Sequence, residues 1–406
     1  MPSADQYLFV MWDGGGVVPP ILAVARKLLD SGKTVSILGE QSMRAEVEAA
    51  GCSFHAYRYA PNRPDRLPES DPFPDWNGGS PFAVLKKLMY AHAGAYARDV
   101  IELCREKHFD KIVVDGFILG GMVGAEAAKK PFLVVWPAID PIPHPGRPPD
   151  GLGLLPGKTL FGKTRNRALN WLFKRMLRSG QKILNPLREK YDLPPLQHPF
   201  EEYEQAEKVL LLSSAAFDYP TRLPANTQFL HPQLKDPTWA PQTQIDIQGP
   251  YVLVSLGSTF QDQHALYQKI IDVLSQLPVP AIVTLGNVFE PASFQGYPNI
   301  QIYKAAAHLD ILPECGLVIH HGGHGVMMKS ILAGLPQLVI PIGRDQFGNA
   351  ARVIYHGIGL RAGKKTSPAK LLKMIKTLLS QEQFSRAAQA MSQKIKAEMQ
   401  EEIPID

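Results

Sequence analysis

Short apolar runs alternate with amphipathic stretches along most of this chain. Tyr7–Met11 reads as a buried strand, followed by Asp13-Gly14-Gly15-Gly16 and a helix over Pro20–Ser31 that Gly32 stops. Lys33–Leu38 is a second strand, and Ser42–Ala50 is a helix ended by Gly51. Lys111–Val114 is a strand closing on Asp115, Met122–Lys129 is helical, and Pro131–Trp136 and Lys208–Leu212 are further strands. After a Pro- and Gln-rich stretch from Pro232 to Gly249 the pattern resumes. Strands are expected at Tyr251–Ser255, Ala281–Thr284, Ile300–Tyr303, Leu317–Ile319 and Gln337–Ile340. Helices are expected at Ala265–Gln276, Met327–Ala333 and Asn349–His356. Such alternation predicts an α/β protein with parallel sheets covered by helices on both faces. Its recurrence predicts two such domains, residues 1–235 and 250–380, joined by a linker over 236–249. A tail, 381–406, carries a helix over Gln381–Glu401 that packs back on the first domain. Ligands of open parallel sheets bind beyond the carboxyl ends of the strands, so the loops after strands carry the chemistry.

At 406 residues two cores are the better expectation than one. A formal charge of +5 is too mild to suggest nucleic acid. Cys52, Cys104 and Cys315 are widely spaced and fit no metal pattern, so they read as buried thiols in a reducing compartment. No basic segment precedes a long apolar run at the N-terminus, and no apolar stretch reaches about 18 residues. A cytoplasmic protein is expected.

Residues 317–350 carry the strongest chemical signal. A strand delivers His320, His321, Gly322 and Gly323, and His324-Gly325-Val326 opens a helix. Free N–H groups and the helix dipole make such an end an anion site suited to a diphosphate, and His321 can donate to a phosphate oxygen. The next strand ends at Pro341, and its loop delivers Asp345 and Gln346, a carboxylate and a carboxamide suited to vicinal sugar hydroxyls. The competing readings are a zinc site for His320, His321 and His324 and a helix N-cap for Asp345. No fourth zinc ligand is evident.

These residues resemble the donor-binding signature of the family 1 glycosyltransferases of GT-B fold, in the bacterial natural-product branch. That signature reads HHGG-x-G-T, then A-G-x-P-x-x-x-x-P, then D-Q. Here His320-His321-Gly322-Gly323 and Gly325, Ala333-Gly334-Leu335-Pro336, Pro341 and Asp345-Gln346 match it at the same spacing. Ser255-Leu256-Gly257-Ser258, Ala307-His308, Gly151–Pro156 with Arg165-Asn166-Arg167, and Phe217-Asp218-Tyr219-Pro220 extend the likeness over nearly the whole chain. The resemblance implies two Rossmann-like domains facing across a cleft, the first for an acceptor and the second for a nucleotide sugar. It implies an inverting, metal-independent hexosyltransferase of secondary metabolism that needs no cofactor. The co-substrate would be a UDP- or dTDP-sugar and the acceptor a small lipophilic molecule such as a polyketide, phenolic or terpenoid. It places Ser258 and His321–Val326 on the diphosphate, His308 beside the base, and Asp345 and Gln346 on the sugar. Two positions depart from the pattern. Val326 replaces the family's Thr or Ser, and Lys329 stands where plant members place a ribose-binding Glu.

The first loop departs further. The family has Gly-His-x-x-Pro or Gly-Asp-x-x-Pro there, and the His or Asp takes the acceptor proton. Gly16-Val17-Val18-Pro19-Pro20 occupies that place, and Val17 cannot take a proton. Asp13 in the same loop is the expected replacement base, with Asp115 supporting it and His92 a weaker third. A desolvated carboxylate has a raised pKa and can serve as general base. The plainer readings are an Asx-turn for Asp13 and a cap for Asp115. Gly14, Gly15, Gly16 and Val17 would form the acceptor loop. No GxGxxG fingerprint is present, which weakens a dehydrogenase reading. A catalytically impaired nucleotide-sugar-binding protein and a GT-B sugar-nucleotide epimerase are the alternatives to a transferase.

Lys158–Lys190 is basic, with Glu189 its only acid and an apolar face formed by Trp171, Leu172, Phe173, Met176 and Leu177. Either this is an amphipathic helix packed on its own domain, the commoner case, or a membrane-surface helix that reaches a lipophilic acceptor at the inner membrane face.

Overall fold

The structure is a computed structural model that describes residues 5–76, 81–242, 245, 247 and 249–405. Parts of the expected linker (243, 244, 246 and 248) and residues 77–80 lie outside the described residues.

Two all-parallel sheets form the frame. The first contains β1 (Gln6–Val10), β2 (Thr34–Gly39), β3 (Ser53–Ala56), β4 (Lys111–Asp115), β5 (Phe132–Trp136), β6 (Lys208–Leu211) and β7 (Thr227–Phe229), in spatial order β3-β2-β1-β4-β5-β6-β7. The second contains β8 (Tyr251–Ser255), β9 (Ala281–Thr284), β10 (Ile300–Tyr303), β11 (Cys315–His320), β12 (Gln337–Val339) and β13 (Gly359–Arg361), in order β10-β9-β8-β11-β12-β13. Central strands read as continuous apolar runs because helices cover both faces; every residue of β5 and β8 is buried. In each sheet the chain steps outward on one side of its first strand, then returns to build on the other. The order therefore reverses between β1 and β4, and again between β8 and β11. A crevice opens at such a reversal. The loop after β1 holds Asp13–Val17, and the loop after β11 holds His321–Gly323.

The helices that matter for function are α1 (Val18–Asp30), α2 (Ala93–Glu106), α3 (Leu119–Ala127), α4 (Leu160–Leu177), α5 (Gln181–Lys190), α6 (His324–Leu332), α7 (Gln346–Tyr355) and α8 (Glu382–Glu398). Pro19 and Pro20 begin α1, where a missing N–H costs nothing. Met327 and Met328 of α6, Ala350 and Val353 of α7, and Ala388 and Met391 of α8 share one apolar cluster with Phe217 of the first half. At its far end α8 turns to the first half: Glu398 accepts from Ser214 Oγ and from Ala216 N, the latter at 2.8 Å, and Ile405 is buried among core residues of β1 and α1.

The halves are also joined by charge. Arg352 is almost fully buried between Asp150, at 3.0 Å, and Asp218, at 2.6 Å. Arg344 pairs with Asp75 at 2.7 Å, and Lys329 pairs with Asp236. A buried arginine must find such partners, because an unpaired interior charge is costly.

α4 does not pack as an ordinary amphipathic helix. Only Gly162, Asn166 and Leu177 are buried in it, and Trp171 is 63% exposed. Of the apolar face expected against the domain, Phe173 and Leu177 pack on its core, while Trp171, Leu172 and Met176 point away from it.

Candidate active site

On the second domain, the turn from β11 into α6 is shaped by His320. Its Nδ1 accepts from Gly322 N at 3.0 Å and its Nε2 donates to Gln337 Oε1 at 2.7 Å. Fully buried, it is held neutral with a pKa near 4 by desolvation. His321 points the other way, against Gly257 and Gly323. Burial, then His320 and Arg344, depress it to about 3 against a hydrogen bond to the Ser255 backbone, so it too is neutral. Its Nδ1 is buried without a hydrogen-bond partner. Buried polar atoms are rarely left so, and a ligand atom is a common reason. No side chain caps the N-terminus of α6, and a Cβ on Gly325 would meet nothing within 4 Å. The first turn of α6 therefore presents uncapped N–H groups and the positive end of the dipole to open space.

The other donor-side residues divide into available and committed. Ser258 is half-buried, and its Oγ lies 3.5 Å from where a Gly15 Cβ would be. Asp345 stands at the N-cap position of α7 but makes no capping bond. One of its oxygens accepts from Asn349 at 2.8 Å, and burial, then Asp150, raises its pKa to about 6. Val326 packs beside the cluster that contains Tyr251 and Leu253. His308 meets Thr284 Oγ1 at 2.9 Å and is pushed to about 4 by burial and by Lys329.

Two expected ligand contacts are spent elsewhere. Gln346 accepts from Ile342 N and Gly343 N at 2.8 and 2.9 Å, and donates to Gln261 at 2.8 Å. Its carboxamide holds the loop instead of facing a sugar. His324 spans the domains to Ser213 Oγ at 3.1 Å. The imidazoles of His320, His321 and His324 thus diverge, which is not how a zinc set is built.

Across the crevice lies the glycine loop. Gly15 has φ +67°, and a Cβ there would sit 2.4 Å from Thr259 Cγ2. Glycine is required because the second domain presses on this loop, and the left-handed backbone adds to the demand.

Asp13 does not face the crevice as a base. It is fully buried and accepts from Arg66 Nε at 2.7 Å, Ser42 Oγ at 2.7 Å and Gly15 N at 3.0 Å, with Arg63 at 3.4 Å. Burial works to raise its pKa, but Arg66 and Arg63 outweigh burial and hold the carboxyl below its usual range. A carboxylate pinned by two guanidinium groups has little proton affinity. The bond to Gly15 N is the Asx-turn. Asp13 also anchors the segment carrying Arg63 and Arg66 to the loop. Glu40 accepts from Asp13 N at 2.8 Å and is pushed up to about 7 by burial.

Asp115 is different. It is 2% exposed, one oxygen accepts from Phe117 N at 2.9 Å, and the other is buried without a partner. Burial raises its pKa to about 7. Around it stand Phe117, 4.7 Å from Trp136 and 6.0 Å from Trp12 between ring centroids. Trp12 Nε1, Tyr96 Oη and Trp136 Nε1 are likewise buried and unpaired. His92 meets the edge of Phe73 at 5.9 Å, and burial, then Lys87, lower its pKa.

One pair escaped the sequence reading. In the loop after β5, His144 Nε2 lies 2.6 Å from Asp140 Oδ2, and Arg147 lies 2.9 Å from the same oxygen. His144 and Arg147 overcome the effect of burial and keep Asp140 anionic. Asp140 therefore accepts the hydrogen bond from Nε2–H, which in the neutral ring leaves the lone pair on Nδ1. The same loop runs on to Asp150 and to Gly151, whose Cβ would lie 3.8 Å from Arg344 O. It thus passes from the β5 end of the first sheet to the edge of the Asp345 loop. The only sequence signal was an Asp and a His four apart in a proline-rich loop.

Comparisons with known proteins agree with this geometry. Residues 268–403 match the family described as erythromycin biosynthesis protein CIII-like, C-terminal domain. The chain is 24% identical over 386 residues to 4'-demethylrebeccamycin synthase of Lentzea aerocolonigenes, covering 91% of each chain. It is 25% identical to zeaxanthin glucosyltransferase of Pantoea ananas, over 71% of this chain and 70% of that one. The crystal structure of the glycotransferase of kitacinnamycin superposes with a TM-score of 0.76 at 19% identity, covering 98% of this chain and 96% of that one. The two sheets and the helix end between them define a GT-B glycosyltransferase. Within that class the chain is similar to natural-product glycosyltransferases, and residues 268–403 match the EryCIII-like domain.

Proposed function

We propose that this enzyme transfers a hexosyl group with inversion from a UDP- or dTDP-sugar to a hydroxyl of a small lipophilic acceptor. The observation that carries the proposal is the uncapped start of α6 beside the orphaned Nδ1 of His321, at the strand-order reversal that faces the glycine loop. In this reading the diphosphate lies on the N–H groups of α6 with His321 and Ser258. The free oxygen of Asp345 accepts from a sugar hydroxyl. The acceptor occupies the aromatic region around Asp115, whose unpaired donors suit a hydroxylated ring system. His144 Nδ1 removes the acceptor proton while Asp140 steadies the imidazolium. The acceptor oxygen then bonds to the anomeric carbon as the bond to the diphosphate breaks, and α6 stabilises the departing charge. The proposal needs no metal, because the helix end and its donors supply the positive potential. Peripheral contact with a membrane belongs to the same proposal, because a lipophilic acceptor partitions into a bilayer.

The test is calorimetric titration with UDP and dTDP, followed by acceptor screening with the matching sugar donor. Binding of one nucleotide that His321→Ala weakens, and turnover that survives EDTA, are the expected results. Binding of neither nucleotide would sink the donor assignment.

A further inference from the structure

We propose that α4 is a docking face for anionic membrane lipid. This rests on the reading of the acceptor as lipophilic for its purpose, but not for its physical basis. Leu160 is 83% exposed, Phe161 81%, Trp171 63% and Leu172 46%. At 3.6 residues per turn these four fall within an arc of about 120° on the helix. Gly162, Asn166 and Leu177, the buried residues of α4, lie on the opposite side. Lys163, Arg167 and Lys174 lie along one border of this arc, and Arg175 lies within it, 5.5 Å from the centre of the Trp171 ring. Aromatic and aliphatic side chains on one face with cations at its border are the pattern of a helix lying in a membrane interface.

The charge arrangement selects the occupant. Several exposed helix cations of this molecule have acidic partners one turn away: Arg26 with Asp30, Arg44 with Glu48, Arg98 with Glu102. Between Lys158 and Arg188 there is no acid at all. Among the described residues, Lys163, Arg167 and Lys174 have no carboxylate partner. Phosphate headgroups would supply the missing anions. A second copy of this chain would not, because a two-fold contact through α4 would set two cationic borders against each other.

The inner side of α4 connects this face to the site. Asn170 Nδ2 donates to His144 O at 3.0 Å and Arg147 O at 2.9 Å, and Asn166 Nδ2 donates to Gly146 O at 3.4 Å. The helix thus clamps the loop that holds the Asp140–His144 pair, with its apolar arc turned outward. A molecule dissolved in the bilayer would meet the protein directly behind that loop.

The test is co-sedimentation of the full chain with vesicles of phosphatidylcholine alone and of phosphatidylcholine with phosphatidylglycerol, in low and high salt. No donor or acceptor is added, so failure here leaves the transfer reading untouched. Capture by the anionic vesicles at low salt is expected, with little by the neutral ones. Trp171→Ser with Leu172→Ser should weaken it about tenfold or more, and Lys163→Glu with Lys174→Glu should do the same. These positions are exposed, and unchanged nucleotide binding and circular dichroism would confirm intact folding. No capture at low salt overturns the proposal, as does capture indifferent to both pairs of substitutions. Self-association abolished by Trp171→Ser, without vesicle binding, would replace the membrane by a second copy.

Discussion

The two strand-order reversals of this molecule have the same topology and opposite chemistry. In the first domain the Asp13 carboxylate, in the loop after β1, is fully engaged by Arg63, Arg66, Ser42 and Gly15 N. In the second the loop after β11 leaves His321 Nδ1 unpaired and the end of α6 uncapped. A satisfied buried group is a structural element, because any reaction of it would first have to break what holds it. An unsatisfied one stores a demand that a ligand meets. In the proposed mechanism the base therefore lies away from the motif position, toward the ends of β4 and β5. Asp115 keeps an unpaired oxygen there, and His144 keeps a free lone pair.

The largest effect that could break this contrast is at Asp13. Asp13→Asn removes one carboxylate of a buried ionic cluster and leaves Arg63 to Glu40 and Arg66 to Glu46. A loss of about 3–5 kcal/mol of stability is expected, read by urea unfolding. A base would behave otherwise: the variant would unfold like the parent and lose turnover alone. Of comparable size but different kind is the effect of His144→Ala. Turnover should fall about 10²–10⁴-fold while nucleotide affinity and the unfolding midpoint stay close to the parent's. Asp140→Asn should reduce turnover as well, by freeing the wrong imidazole nitrogen. Full activity in His144→Ala would return the search to Asp115.

At the second reversal, His321→Ala should weaken UDP or dTDP binding about tenfold to a hundredfold, the range for a hydrogen bond to a charged group. Gln346→Ala sharpens the point. Its amide serves the loop and Gln261, so the variant should lose stability before it loses nucleotide affinity. If Gln346→Ala bound donor far more weakly at unchanged stability, the carboxamide would face the sugar after all.

How much of this was legible beforehand depended on where an element lies. Tyr251–Ser255 and Ala281–Thr284 coincide with β8 and β9, because strands carrying buried apolar runs announce themselves, and Ile300–Tyr303 coincides with β10, an edge strand in which Ile300 alone is buried. Ser53–Ala56, Thr227–Phe229 and Gly359–Arg361 were not seen. All three are edge strands, short and half-exposed, with pairing on one side only. The helix-end motif at His320–Gly325 was legible because one stretch of chain holds it all. Asp13 was misread because its partners Arg63 and Arg66 lie some fifty residues on, and local sequence does not show a distant guanidinium. Asp140 and His144 were missed because a proline-rich loop has no periodicity to set their relative direction. The exposed face of α4 was visible as a pattern, but not which way it turned.

The smallest predicted effect concerns pH, and it separates the two carboxylates of the first domain. Asp115 has a folded pKa of about 7 against an ordinary 3.8. As pH rises from about 4 to about 7 the unfolded chain releases this proton first, so the native state binds more protons in that window. Stability must therefore fall with rising pH through the window and level off above it. Asp13 has the opposite sign. Its depressed pKa contributes stability above the unfolded value that is lost as pH drops through the folded one. Asp115→Asn keeps the shape and removes the charge. The variant should match the parent near pH 4 and exceed it by about 1–3 kcal/mol at pH 8, measured by urea unfolding at a series of pH values. An unchanged slope between those limits would mean that the unpaired oxygen of Asp115 already has solvent or a partner, and the contrast between a saturated and an unsatisfied carboxylate in this domain would collapse.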